Sequence, residues 1–162
     1  MATLTTSWQY LGQKYIGNSG GNLYVRLYAR YSEQDIANNR TYVYYQARSY
    51  YDRTYIQDDQ GTIGVSGTGA SYQGASCTRP TTGESVSVTT SGWVYHNNEG
   101  KASVTGNASI NFPNWGWSGT ASASADLPQI HRASGVACSS PYIGDNAVIS
   151  IDKKSSSFTN TL

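Results

Sequence analysis

The sequence predicts an all-β protein: an antiparallel β-sandwich, or a jelly-roll-like version of one, followed by the beginning of an immunoglobulin-like β module. Three observations predict it. Apolar residues recur with a period of two over several segments, the pattern of strands that bury one face. The chain holds 14 Tyr and 17 Gly among many Ser and Thr, against one Met and two Phe, a composition that suits pleated, half-exposed surfaces better than helices. No segment shows the 3.6-residue recurrence of an amphipathic helix.

Residues 22–31 place Leu23, Val25, Leu27, Ala29 and Tyr31 on one face and Tyr24, Arg26, Tyr28 and Arg30 on the other, which predicts a strand. Residues 32–40 break the pattern with polar side chains and an Asn38-Asn39 pair. Residues 41–51 then alternate again, Val43, Tyr45 and Ala47 against Tyr42, Tyr44, Gln46 and Arg48. Two long strands joined by a loop form a hairpin or cross between sheets. Residues 62–65 predict a shorter strand, and the Gly and Ser of residues 64–74 predict an irregular or bulged one. Residues 84–90 alternate through Val86 and Val88, after which Gly92 opens a separate brief strand through Trp93 and Tyr95. His96-Asn97-Asn98-Glu99-Gly100 reads as a turn, because Asn tolerates positive φ and Gly adopts it freely.

Residues 101–112 put Ala102, Val104, Gly106, Ala108, Ile110 and Phe112 inward, and residues 120–127 put Ala121, Ala123, Ala125 and Leu127 inward. These two segments are expected to pair and to approach an opposing sheet closely. Small inward residues need bulky ones facing them, and Tyr45, Trp93, Ile110 and Phe112 are the expected complement. At Leu127-Pro128 the alternation stops, and proline favours an extended connection. The expected organisation is a sandwich over residues 1–127, a linker over 128–134 and a partial immunoglobulin-like module over 135–162. The first strands of that module are expected at 147–151 and 157–162, and about 30 residues cannot bury a core alone.

Charged residues make up 13% of the chain and the net charge is +1, which gives no polyelectrolyte attraction to nucleic acid. No window is long and apolar enough for membrane insertion, and the first residues lack the character of a secretory signal. Synthesis in the cytoplasm is therefore expected, and with it two thiols at Cys77 and Cys138 rather than a disulfide between separate units. His96 and His131 stand without Cys or carboxylate at ligand spacing, so no metal, no cofactor and no catalytic triad are expected, and the chain is read as a non-enzyme. Asp58-Asp59-Gln60-Gly61 could offer oxygens to calcium, but an adjacent pair falls far short of the six to eight such an ion takes, and a solvated turn is the simpler reading.

The candidate binding residues are aromatic. Tyr42, Tyr44, Arg48 and Tyr50 share outward positions with Tyr24, Tyr28, Arg26 and Arg30. Rings with interleaved guanidiniums bind sugar faces or another protein. The alternative is that this face is covered by a partner subunit and is simply an oligomer interface. Trp115 and Trp117 sit on the connection between two strands, where they could form a glycan platform or plug the end of the sandwich.

The run Val94-Tyr95-His96-Asn97-Asn98-Glu99-Gly100, the Ser/Ala-rich strand after it, and Leu127-Pro128-Gln129-Ile130-His131-Arg132-Ala133-Ser134 resemble minor structural proteins of tailed phages that infect Gram-positive bacteria. Ile143-Gly144 through Ile151, and Ser155-Ser156-Ser157-Phe158-Thr159-Asn160-Thr161-Leu162, resemble the opening of that family's immunoglobulin-like module. The stretch from Leu23 to Arg40 is similar to its amino-terminal domain. His131 departs from the pattern, which carries proline there, and leaves the linker less rigid. The resemblance implies a virion structural protein of the tail or tail tip, made in the host cytoplasm, whose partners are other phage tail proteins. It also implies a symmetric homo-oligomer, a trimer among the options, and contact with the host surface. The alternative function is a carbohydrate-binding module for Gram-positive cell-wall polysaccharide, and a cell-wall glycan-degrading enzyme is a distant third.

Overall fold

The structure is a computed structural model that describes residues 1–18, 20–53, 60–78, 82–131, 135–138 and 149–152. Its strands are β1 (Gln9–Asn18), β2 (Asn22–Asp35), β3 (Arg40–Tyr51), β4 (Gln60–Gly67), β5 (Ala70–Thr78), β6 (Gly83–Tyr95), β7 (Ser103–Phe112), β8 (Trp117–Asp126), β9 (Gly135–Cys138) and β10 (Ile149–Asp152). The first eight form two four-stranded antiparallel sheets, β1-β2-β3-β6 and β5-β4-β7-β8. They pack as a sandwich, with β1 against β8 along one side and β6 against β5 along the other.

Two-residue alternation explains the core. Leu23, Val25, Leu27 and Ala29 of β2 and Val43, Tyr45 and Ala47 of β3 are fully buried, and they face Val65, Val104, Ala108 and Ile110 of the second sheet. Each buried Leu, Val and Ile side chain contributes about 1.5–3 kcal/mol relative to exposure. The expected fit of large against small holds at Tyr45. A Cβ added at Gly67 would lie 2.5 Å from its ring and one at Gly106 2.9 Å away. The Tyr45 hydroxyl donates to the Thr68 carbonyl at 2.9 Å, and burial raises its pKa. β7 and β8 pair as expected, Ala108 opposite Ala121 and Val104 opposite Ala125.

Two expectations change and two segments are filled in. First, the chain before Asn22, inside the expected sandwich but assigned no strand, supplies one. β1 carries irregularities between Tyr10 and Gly12 and between Tyr15 and Gly17, which throw its side chains out of strict alternation and hide the period. Ahead of it Leu4 is buried, and its N–H donates to the Asp126 carbonyl at 2.9 Å. Second, β2 runs through Asp35. Past an irregularity between Tyr31 and Glu33 the ladder resumes, and a turn at residues 36–39, with Asn39 at φ 53°, returns the chain to β3. Third, residues 83–95 are one strand rather than two. Continuity through Gly92 makes Thr90 and Val94 the inward residues, so Trp93 faces outward and is not part of the core complement. Gly92 is required because the tip of the β4–β5 hairpin presses on it: a Cβ there would lie 1.8 Å from the Gly69 carbonyl oxygen. Fourth, the irregular stretch expected at residues 64–74 is the β4–β5 hairpin, with its irregularity between Val65 and Gly67, and in it Gly64 and Gly74 make room for the Tyr72 ring.

Beyond β8 the chain stays on the sandwich for a few residues. The Pro128 carbonyl accepts from Gln34 Nε2 at 2.8 Å, the Ile130 N–H donates to the Gly100 carbonyl at 2.8 Å, and Ile130 is buried. β9 and β10 form a separate antiparallel ladder. β10 overlaps the strand expected at 147–151, and its partner β9 had no counterpart in the sequence reading. The strand expected at 157–162 and the Asp58-Asp59 pair lie outside the described residues. Cys77 is buried in the core.

Candidate interaction surface

The outward residues of the β1-β2-β3-β6 sheet form cross-strand rows. Tyr15, Tyr24 and Tyr50 make one row; Gln13, Arg26 and Arg48 the next; then Tyr10, Tyr28 and Gln46; then Arg30, Tyr44 and Ser91; and at the far end Tyr42 and Trp93. Period-two alternation in neighbouring strands necessarily stacks side chains this way. The rings meet edge to face, Tyr10 on Tyr28 and Tyr15 on Tyr24 at 5.7 Å, Tyr42 on Tyr44 at 5.3 Å and on Trp93 at 4.9 Å.

The arginines lie across the rings. The Arg26 guanidinium is 3.5 Å from the centre of Tyr50, Arg48 is 4.2 Å from Tyr28, Arg40 is 4.2 Å from Trp93, and Arg30 is 4.5 Å from Tyr44 and 5.2 Å from Trp8. Each contact of this kind is worth about 0.5–1 kcal/mol at a half-exposed site. Glu84 of β6 joins the rows. Its Oε1 accepts from Arg26 Nη1 and its Oε2 from Arg48 Nη1, both at 2.9 Å, and the Tyr28 hydroxyl donates to Oε1 in a short hydrogen bond. Partial burial would raise the Glu84 pKa, but hydrogen bonds from Tyr28, Arg26 and Arg48 outweigh it and hold the carboxyl down to about 2. At the turn, Arg40 pairs with Asp35 at 2.9 Å. The face is thus a half-buried lattice of rings and guanidiniums locked by its own carboxylates.

Of the sequence candidates, Tyr42, Tyr44, Arg48 and Tyr50 come together here. Trp115 and Trp117 do not. They lie on the other sheet, on a 3-10 turn (Pro113–Trp115) and at the start of β8, with ring centres 5.2 Å apart and planes tilted by 35°. Both pack against the core, and Trp117 lies so close over Gly17 that a Cβ there would be 2.5 Å from the ring. The geometry is that of a plug at the sandwich edge. Sequence reasoning missed Trp8, Tyr10 and Tyr15, because the glycines of β1 obscured its period. It missed Trp93 through a wrong strand break, and Glu84 because a single acidic residue carries no pattern.

His96 occupies the expected turn but is buried. Its Nδ1–H donates to the Gly100 carbonyl at 2.8 Å, so Nε2 accepts from the buried Thr41 hydroxyl at 2.8 Å. Burial lowers its pKa against the opposing effect of the Gly100 bond, which keeps it neutral as a strut between the turn and β3. Among the described residues no three His, Cys, Asp or Glu side chains gather as a metal site would require, and no helix is long and apolar enough to cross a membrane.

A family described as "Siphovirus protein of unknown function (DUF859)" matches residues 13–162. The chain belongs to this siphovirus family. The match begins inside β1, spans the rest of the sandwich and continues through β9 and β10, so nearly all of the aromatic–arginine face of this siphovirus protein lies within it. The phage kinship expected from the motifs at residues 94–100 and 127–134 therefore stands at the level of a siphovirus family. No curated protein matches the chain.

Proposed function

We propose that this siphovirus protein is a non-enzymatic structural subunit of the virion tail, and that the aromatic–arginine face of β1-β2-β3-β6 docks against another protein. One observation carries the choice of partner class: the rings of Tyr28, Tyr44, Tyr50 and Trp93 each have a guanidinium of the same sheet over them. A sugar stacks on an open ring face. A protein partner instead meets a pre-ordered surface rich in Tyr, Trp and Arg, the residue types that dominate protein interfaces. Because the lattice is already locked by Glu84 and Asp35, little side-chain entropy remains to be lost on docking. Residues 135–162 are read as the opening of an immunoglobulin-like module, a reading that the β9–β10 ladder supports.

Immunogold labelling of purified virions with antibodies to the sandwich tests the location: label on tails is expected, and particles devoid of the protein would remove the proposal. Tyr10→Glu with Tyr15→Glu, at positions 51% and 48% exposed on the face, tests the surface. Incorporation into particles should fall by about ten-fold while the far-ultraviolet circular dichroism of the folded sandwich is retained.

A second reading, recognition of Gram-positive cell-wall polysaccharide, draws support from the adjacent Trp115 and Trp117 rings. It requires saturable binding to purified cell walls that Trp115→Ala or Trp117→Ala abolishes.

A further inference from the structure

The charges of the face do not all cancel within one chain. Arg26 and Arg48 share Glu84, and Arg40 has Asp35. Arg30 differs. Its guanidinium lies against the Trp8 and Tyr44 rings, which meet edge to face, its Nε is buried with no hydrogen-bond partner, and among the described residues no carboxylate lies within ion-pair distance of it. Three positions along the same strand, Glu33 is exposed and likewise makes no ion pair or hydrogen bond among the described residues. Glu33 stands opposite Tyr42 and Arg30 opposite Tyr44, so both belong to the outward face, separated by roughly 7 Å along the strand.

Resting on the reading of this face as a protein interface, we propose that its partner is a second copy of the chain, packed face to face about a two-fold axis, with Arg30 of each protomer receiving Glu33 of the other. One unmatched cation and one unmatched anion on a single patch are self-complementary under a two-fold operation: the rotation that brings Glu33 to Arg30 brings Arg30 to Glu33. A ring of higher order would need two different patches. The guanidinium is positioned by its contacts with the Trp8 and Tyr44 rings and its Nε is sheltered, which leaves the Nη groups as the fork that a carboxylate accepts in bidentate fashion. The same packing covers Tyr10 and Tyr15, which the monomer leaves about half exposed.

Sedimentation equilibrium of the full chain at low salt tests the pairing. A dimer is expected. Arg30→Glu and Glu33→Arg should each raise its dissociation constant by at least about ten-fold, and the double variant R30E/E33R should return it to within about three-fold of the original. Glu33 is exposed, so Glu33→Arg carries the test even where Arg30→Glu disturbs folding. A monomer at ~100 µM, single variants that dimerise unchanged, or a double variant no better than the singles each overturn the proposal. A monomeric chain whose particle incorporation still falls with Tyr10→Glu and Tyr15→Glu overturns only the self-pairing, whereas unchanged incorporation overturns the interface reading as well.

Discussion

Glu84 couples three neighbours on the aromatic–arginine face, and its ionisation connects that face to stability. Its folded pKa, about 2, lies below the ordinary 4.5. A depressed carboxyl stabilises the fold above its unfolded value and loses that contribution as pH falls toward the folded value. With the side chain 25% exposed, solvent screening leaves an effect of about 1–2 kcal/mol. Urea midpoints should therefore show Glu84→Gln less stable than the parent near neutrality, with the two converging between about pH 4.5 and pH 2. A gap unchanged over that window would contradict the assigned role. Nothing in the sequence singles out Glu84. Its partners stand 58, 56 and 36 positions away in the chain, and only the β2-β3-β6 register brings them to it.

At the level of elements, β3 and the first part of β2 were legible because they keep strict alternation between one dry face and one half-exposed face, which β2 loses at the irregularity after Tyr31. β1 was not legible, since Gly12 and Gly17 contribute no side chain to a pattern and its irregularities shift the parity. β6 was split at Gly92 for a related reason: glycine in a strand signals either a break or a close approach, and only the position of the β4–β5 hairpin decides which. That distinction predicts contrasting costs. Gly92→Ala drives a Cβ into the Gly69 backbone oxygen, which cannot yield without moving the hairpin, and should cost about 3 kcal/mol or more. Gly64→Ala meets the Tyr72 ring, a side chain 62% exposed and able to swing into solvent, and should cost about 1 kcal/mol. Thermal melts of the two variants check the order, and equal losses would count against it.

On the scale of the whole molecule, the sandwich presents two unlike outer faces. The β1-β2-β3-β6 face is aromatic and charged, whereas the opposite one carries hydroxyls, such as Thr105 to Ser124 at 2.8 Å, with Ser103 donating to Asp126 at 2.6 Å. Under the proposed function, that asymmetry leaves the aromatic face as the docking side. The sandwich is also closed by its own flanking segments: the N–H of buried Leu4 donates to the Asp126 carbonyl at the end of β8, and just beyond that end the N–H groups of buried Leu127 and Ile130 donate to the Ala102 and Gly100 carbonyls. A chain ending after His131 should therefore melt within about 2–4 °C of the full chain, while one ending after Asp126 loses buried Leu127 and Ile130 and should melt roughly 10 °C or more lower. Calorimetry of both truncations separates these outcomes.

By itself, the sequence determined the all-β class, the pairing of β7 with β8, the inward residues of β2 and β3, and the clustering of Tyr42, Tyr44, Arg48 and Tyr50 on one face. These follow from alternation, which is a local property of an extended chain. Tertiary structure alone decided the outward place of Trp93, the burial of His96, the packing of Trp117 over Gly17, and the contrast between paired Arg26, Arg40 and Arg48 and unmatched Arg30. Those depend on sheet order and register, which bring together residues far apart along the chain, and no local pattern of side chains records that distance.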